Sequence, residues 1–198
     1  MTPLAVSYGL WAAWMLSWAL AAPWSRRSQA KPSALDQAIH LVPTLLGGTM
    51  LFFASRVGMR ESSLALLHLQ LWRPAPALGW AICALCAAGF AFTWWARLTL
   101  GDLWSGSVSR KEEHEIVERG PYRLVRHPIY TGLISSAFAL AIQIGETGPL
   151  AGAALLALGF FLKARLEERF LAEQLGQGAY ADYRRRTPML APFWPTRH

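Results

Sequence analysis

The sequence is short of charge. Only 16% of its 198 residues are Asp, Glu, Lys or Arg, against about 25% in a soluble domain. Cysteine is nearly absent: Cys83 and Cys86 are the only two, which excludes a disulfide framework. The pair forms a C-x-x-C inside an apolar stretch with no second ligand pair nearby, so both are expected to be small buried packing residues rather than a redox or zinc site. No GxGxxG, P-loop, GxSxG or HExxH string occurs, which leaves the common nucleotide, hydrolase and zinc-protease signatures without support. Strict apolar/polar alternation is missing too, and with it the case for a membrane β-barrel.

What is present is hydrophobic length. Residues 4–24, 38–55 and 75–96 carry no charge. Runs near 20 residues read as membrane helices, because hydrocarbon offers the backbone no other hydrogen-bond partner. Two shorter runs, 129–145 and 149–162, would be about 25 and 21 Å long. The break Gly145-Glu146-Thr147-Gly148-Pro149 predicts a tight turn between them. The expectation is an all-α, polytopic integral membrane protein. It has about five transmembrane helices, the last two forming a shallow helical hairpin, followed by cytosolic C-terminal helices. Residues 1–96 form an N-terminal transmembrane part, and 97–198 a catalytic part.

Net charge is +7, and its placement is lopsided. With the N-terminus outside, sixteen of the nineteen Lys and Arg fall on the cytosolic side, and only Arg56, Arg60 and Arg73 fall outside. This is the positive-inside bias, and it accounts for the basic pI without nucleic acid. Basic residues beside the spans also favour anionic membrane lipids. Residues 1–10 have no basic side chain and the pair Arg26-Arg27 follows the first apolar run, which is the reverse of a secretory signal and predicts an uncleaved anchor. A bacterial inner (cytoplasmic) membrane is expected. Trp11, Trp14 and Trp18 share one face of that first helix; lipid or helix packing is expected, a dimer seam being the alternative, and the oligomeric state is not legible. Gly47-Gly48 predicts a close helix contact. Residues 62–72 are too short to span and are expected in the outer interface, with His68 solvated.

Chemistry is confined to the polar segments 97–128 and 163–198. In the first, Gly120-Pro121 marks a turn, and Pro128 suits the first position of a helix, where its missing N–H costs nothing. Arg126 and His127 then sit beside free amides and the positive end of the helix dipole, a ready-made anion site, and Tyr130 reaches it from the first turn. An equally good reading is a snorkelling Arg and an interfacial Tyr that anchor a span. In the second segment Lys163 and Glu167 are four apart, and Glu167-Glu168 follow within about one turn of the hydrocarbon edge, where acidic groups are costly unless paired or functional. An exposed i,i+4 pair is the bland alternative.

These residues carry a resemblance. G-P-Y-R-x-V-R-H-P-x-Y-x-G from Gly120 to Gly132, then E-E-x-x-L from Glu167, a Gly, and Tyr180-x-x-Tyr183 resemble the isoprenylcysteine carboxyl methyltransferase family, whose wider relatives include membrane phospholipid N-methyltransferases. Gly101 and Trp104-Ser105 strengthen the likeness, which covers roughly residues 97–195. The resemblance implies S-adenosyl-L-methionine as cofactor, with S-adenosyl-L-homocysteine as product, bound at the cytosolic membrane face. The family's cofactor contacts fall on His114, Glu115, Ile116, Val117, Tyr122, His127, Pro128, Ile129, Tyr130 and Glu167. Arg126, Lys163, Arg165 and Glu168 are the implied catalytic group: Lys163 and Arg165 orient the acceptor, and Glu168 accepts a proton from an amine. Lys163 stands where the eukaryotic members carry a substrate-contacting Arg, and one extra residue separates Gly176 from Tyr180. Lys lacks the two-pronged fork of Arg, so the methyl donor carries over better than the prenylcysteine substrate. The acceptor is expected to be a lipophilic small molecule or lipidated substrate with a carboxylate, thiol or amine, and no metal is required. An NADPH-dependent sterol- or terpenoid-type reductase and a non-enzymatic membrane scaffold are the rival readings.

Overall fold

The computed structural model describes residues 1–24, 33–54, 65–101, 116–175 and 177–192. Within them six α-helices follow one another: α1 (Pro3–Leu20), α2 (Ala34–Phe53), α3 (Pro76–Leu100), α4 (Pro128–Ile144), α5 (Thr147–Leu175) and α6 (Gln177–Arg186). No strand occurs among the described residues, only a single antiparallel bridge between Gln70 and Glu146.

The helix ends follow local chemistry. Thr2 caps α1 by accepting from the Ala5 amide, with Pro3 in the first turn. Ser33 caps α2 in the same way through Asp36. Pro76 and Pro128 open α3 and α4, the latter as expected. Gly145, at φ +72°, closes α4 in the left-handed conformation that glycine adopts without steric cost. The chain then reverses over Gly145 and Glu146 straight into α5, so the hairpin is present.

Its second arm is longer than expected. α5 runs unbroken for 29 residues, about 43 Å, because the charged stretch after residue 162 continues the helix instead of ending it. Among the described residues, two helices are long and apolar enough to cross a membrane, α3 and α5. α4 is apolar but has only 17 residues. Leu41, Val42, Leu45, Leu46, Leu85 and Leu158 are exposed on the outer faces of the bundle, an apolar surface of the kind lipid covers.

Glycine closes two seams. A Cβ at Gly47 of α2 would lie 2.5 Å from the Leu156 amide nitrogen, and one at Gly152 of α5 would lie 2.6 Å from that of Leu51. Across α3 and α4, a Cβ at Gly132 would lie 2.5 Å from the Gly89 carbonyl oxygen. Backbones approach this closely only where side chains are missing, the usual route to helix association in lipid. The Gly47 contact matches expectation, whereas Gly48 faces open space. The tryptophan face of α1 packs inward: Trp11 is buried, its ring edge-on to Phe90 at 4.9 Å, and Trp14 Nε1 donates to Thr93 Oγ1 at 2.9 Å. Cys83 and Cys86 are buried and unbridged. His68 is not solvated as expected; its Nε2 is buried with no hydrogen-bond partner, because residues 65–72 fold down onto the α4–α5 turn.

Candidate active site at the open end of the hairpin

The hairpin is antiparallel, so the start of α4 faces the late turns of α5. That geometry brings His127 and Tyr130 against Glu167 and Glu168. His127 sits between the two carboxylates: Nδ1 lies 3.5 Å from Glu167 Oε2, and Nε2 lies 3.2 Å from Glu168 Oε1. Tyr130 donates its hydroxyl to Glu167 Oε1 at 2.6 Å. Its ring stacks on the His127 imidazole at 5.5 Å and on Phe160 at 5.1 Å, and Lys163 Nζ lies 5.5 Å from the ring centroid.

The charges set one another. Burial alone would depress the His127 pKa, but the two carboxylates outweigh it and hold it above the ordinary value. Burial likewise opposes ionisation of the two acids, yet the His127 bonds, with Lys163 and Tyr130 at Glu167 and Arg126 at Glu168, pull both down, Glu168 to about 2. Burial and then the nearby Glu167 charge push the Tyr122 hydroxyl up. Neither acid is a solvent-facing surface carboxylate: Glu168 is 3% exposed and both are engaged across the hairpin.

Arg126 is held within the chain. Its Nε donates to Glu168 Oε1 at 2.7 Å, and one terminal nitrogen donates to the carbonyls of Arg184 (3.1 Å) and Thr187. The backbone amides of Arg126 and His127 are themselves engaged. The Arg126 N–H donates to the Pro188 carbonyl at 2.9 Å and the His127 N–H to that of Met189 at 3.1 Å. A strap over residues 187–192 thus crosses the start of α4, fastened again by Thr131 Oγ1 to the Leu190 carbonyl at 2.6 Å. The first-turn amides of Ile129 and Tyr130 remain without an intrahelical acceptor, as helix geometry dictates. Tyr183 of α6 donates to the Tyr122 carbonyl at 2.7 Å, which ties the Gly120–Arg123 turn under the strap.

The sequence-derived residues divide cleanly. Tyr122, Arg126, His127, Pro128, Ile129, Tyr130, Lys163, Glu167 and Glu168 gather at this end of the bundle, with Pro128 and Ile129 buried as its backbone support. Ile116 and Val117 are half-buried, Val117 against the core. Arg165 is exposed; two positions on from Lys163, it lies about 200° round a 3.6-residue helix from the residue it was expected to supplement. His114, Glu115 and residues 102–105 lie outside the described residues. Sequence reasoning missed Phe160, an ordinary apolar residue by any local test, and the strap, whose bonds are backbone-to-backbone and leave no side-chain signal. Among the described residues no group of His, Cys, Asp and Glu is arranged to hold a metal ion.

Comparison with known proteins bears on this end of the molecule. A sequence model of the isoprenylcysteine carboxyl methyltransferase (ICMT) family matches residues 81–173, a stretch that takes in every gathered residue and stops short of Tyr180 and Tyr183. A Cupriavidus metallidurans protein named cobalt-zinc-cadmium resistance protein CzcN is 37% identical over 99 residues, 48% of this chain and 44% of that one. Methanethiol S-methyltransferase of Mycobacterium tuberculosis is 42% identical over 85 residues, 39% of this chain and 30% of the relative. Protein-S-isoprenylcysteine O-methyltransferase B of Arabidopsis thaliana is 29% identical over 89 residues, 43% of this chain and 44% of the relative. The chain spans less than half the length of each of these three.

Proposed function

We propose that this chain, whose residues 81–173 match the isoprenylcysteine carboxyl methyltransferase family model, is a membrane methyltransferase that uses S-adenosyl-L-methionine to methylate a lipophilic acceptor at the open end of the α4–α5 hairpin. The observation that carries the reading is His127 clamped between Glu167 and Glu168 beneath the Tyr130 ring. The donor set suits this cofactor. Glu168 Oε2 is buried, takes no hydrogen bond and has only the Arg184 guanidinium at 3.5 Å as an ion-pair partner, and carboxylate acceptors match the ammonium and ribose hydroxyl donors of such a molecule. Aromatic faces beside them suit a cation. When bound, S-adenosyl-L-methionine supplies an electrophilic methyl group on a positively charged sulfur.

The residues then divide the work. Glu167 accepts from the cofactor's amino group or a ribose hydroxyl, and Tyr122 and Tyr130 wall the adenosyl part. Arg126 is a positioning residue that holds Glu168 and the strap. Lys163 orients an anionic or polar acceptor, and the packed aromatic wall excludes water and aligns the reactants. Glu168 is a poor proton acceptor at neutral pH with its pKa near 2, and the two ring nitrogens of His127 are taken up by Glu167 and Glu168. A site without a base suits an acceptor that brings its own negative charge, a carboxylate or thiolate, better than an amine. The O- and S-methyltransferase names of two relatives agree with this. An NADPH reductase would need cations for the dinucleotide phosphates, and the Arg126 guanidinium is engaged by Glu168 and two carbonyls.

By the positive-inside distribution this end faces the cytosol of a bacterial inner membrane. α1 to α5 supply five spans with the N-terminus outside, and residues 1–96 scaffold a catalytic part over 97–198. Calorimetry on the detergent-purified protein tests the activity class. S-adenosyl-L-methionine and S-adenosyl-L-homocysteine bind, NADPH does not, and Glu167→Gln weakens both by about tenfold, the weight of one charged hydrogen bond. Binding of NADPH alone, or unchanged affinity in Glu167→Gln, overturns the reading.

A further inference from the structure

At the opposite end of the bundle, roughly 25 Å from the carboxylate pair along α4, a cavity of about 530 Å³ opens between the starts of α1 and α3 and the α4–α5 turn. Leu4, Tyr8, Pro74 and Ile144 give it apolar walls. Two amides that line it are committed to the fold. Gln143 accepts from Ser7 Oγ at 2.5 Å and donates to the Gly79 carbonyl at 3.2 Å; Gln70 Nε2 donates to the Ile144 and Gly145 carbonyls, each at 3.0 Å. Two charged groups are not committed to any partner among the described residues. Glu146 Oε2 is buried without a hydrogen-bond partner, and Arg73 lines the same cavity yet forms no ion pair with Glu146 or with any other described residue. Opposite charges that face one small space without pairing are arranged for a ligand that carries both signs.

We propose that this cavity binds the head group of an aminoethyl-phosphate lipid, the phosphate on Arg73 and the ammonium on Glu146. A buried carboxylate oxygen needs a hydrogen-bond donor, which a primary ammonium supplies and a trimethylammonium does not. The cavity size is ordinary for a bound small group. The lipid source follows from the surroundings. Leu69, Leu71 and Trp72 are exposed at this end, with the Trp72 indole donating to the Ile142 carbonyl at 2.8 Å, an interfacial arrangement typical of head-group depth. This site lies apart from methyl transfer and does not depend on it.

Native mass spectrometry of the full chain, exchanged into an equal mixture of phosphatidylethanolamine, phosphatidylcholine and phosphatidylglycerol, tests the assignment. Phosphatidylethanolamine is retained several-fold over the other two. Glu146→Gln lowers its retention about tenfold and removes the preference over phosphatidylcholine. Arg73→Gln, at an exposed side chain that cannot threaten folding, lowers retention of phosphatidylethanolamine and phosphatidylglycerol alike. Equal retention of ethanolamine and choline lipids by the unaltered chain, or no effect of Arg73→Gln, overturns the proposal. Soluble phosphoethanolamine that binds as tightly as the lipid overturns the lipid source.

Discussion

Replacing Glu168 by Gln keeps the shape of the side chain and deletes its charge. Its carboxyl falls from the ordinary 4.5 to about 2 because His127 and Arg126 reward the ionised form more than burial penalises it. At about 1.4 kcal/mol per tenfold, that difference corresponds to about 3 kcal/mol of folded-state stabilisation. An independent figure agrees: removing one partner of a buried ion pair costs about 3–5 kcal/mol, and Glu168 and Arg126 side chains are 4% and 8% exposed. For a chain of this size each kcal/mol moves the unfolding temperature by about 2–4 °C, so Glu168→Gln unfolds about 6–12 °C below the unaltered protein in detergent. Arg126→Gln loses a similar amount, and the double variant loses less than the two together by about 1–3 kcal/mol, since both break one network. A Glu168→Gln shift under about 2 °C, or strict additivity with Arg126→Gln, would refute the coupling.

The same cluster predicts a pH profile. His127 is held above its ordinary 6.5, so its contribution is complete below about pH 6.5 and is lost as pH rises through the folded value. Glu167 and Glu168 are held below 4.5, so theirs is complete above about pH 4.5 and is lost as pH falls through their folded values. Thermal stability therefore declines on the alkaline side of about pH 6.5, and His127→Gln flattens that limb; parallel profiles would contradict the assignment. Gly152→Ala places a methyl against the Leu51 backbone and costs about 1–3 kcal/mol. Gly48→Ala, in open space in the middle of α2, gains about 0.5–1 kcal/mol from helix propensity; equal melting shifts for the two would remove the close-packed seam. Tyr183→Phe removes the bond to the Tyr122 carbonyl and lowers stability by about 1 kcal/mol; an unchanged denaturant midpoint would count against the tie.

How much of this was legible depends on how local its cause is. Pro128 at a helix start and Gly145 at a helix end are visible because one residue carries the whole signal. The apolar runs placed α1 to α3 within a few residues. α5 was cut short because hydrophobicity stops near Lys163 while the backbone ladder continues through Arg165, Glu168 and Arg169. Gly47 could be flagged from α2 alone, but its partner Gly152 lies more than a hundred residues away and no single-helix pattern pairs them. The candidate site was legible only through its motif, since Glu167 and Glu168 look solvent-facing until the hairpin sets them against His127. The strap that closes the Arg126 and His127 amides had no signature in side-chain type.

The glycine seam between α2 and α5 also governs traffic. From Gly148 against Ala54, through Gly152 and Gly47, to Gly159 against Thr44, the two backbones touch along most of their shared length. No acyl or prenyl tail can thread between them. On the proposed function, a greasy acceptor drifting in the bilayer would therefore reach the Glu167–Glu168 end past the tips of the helices or along a different flank. Substituents that thicken its tail near the reactive head will slow capture more than those that lengthen the far end.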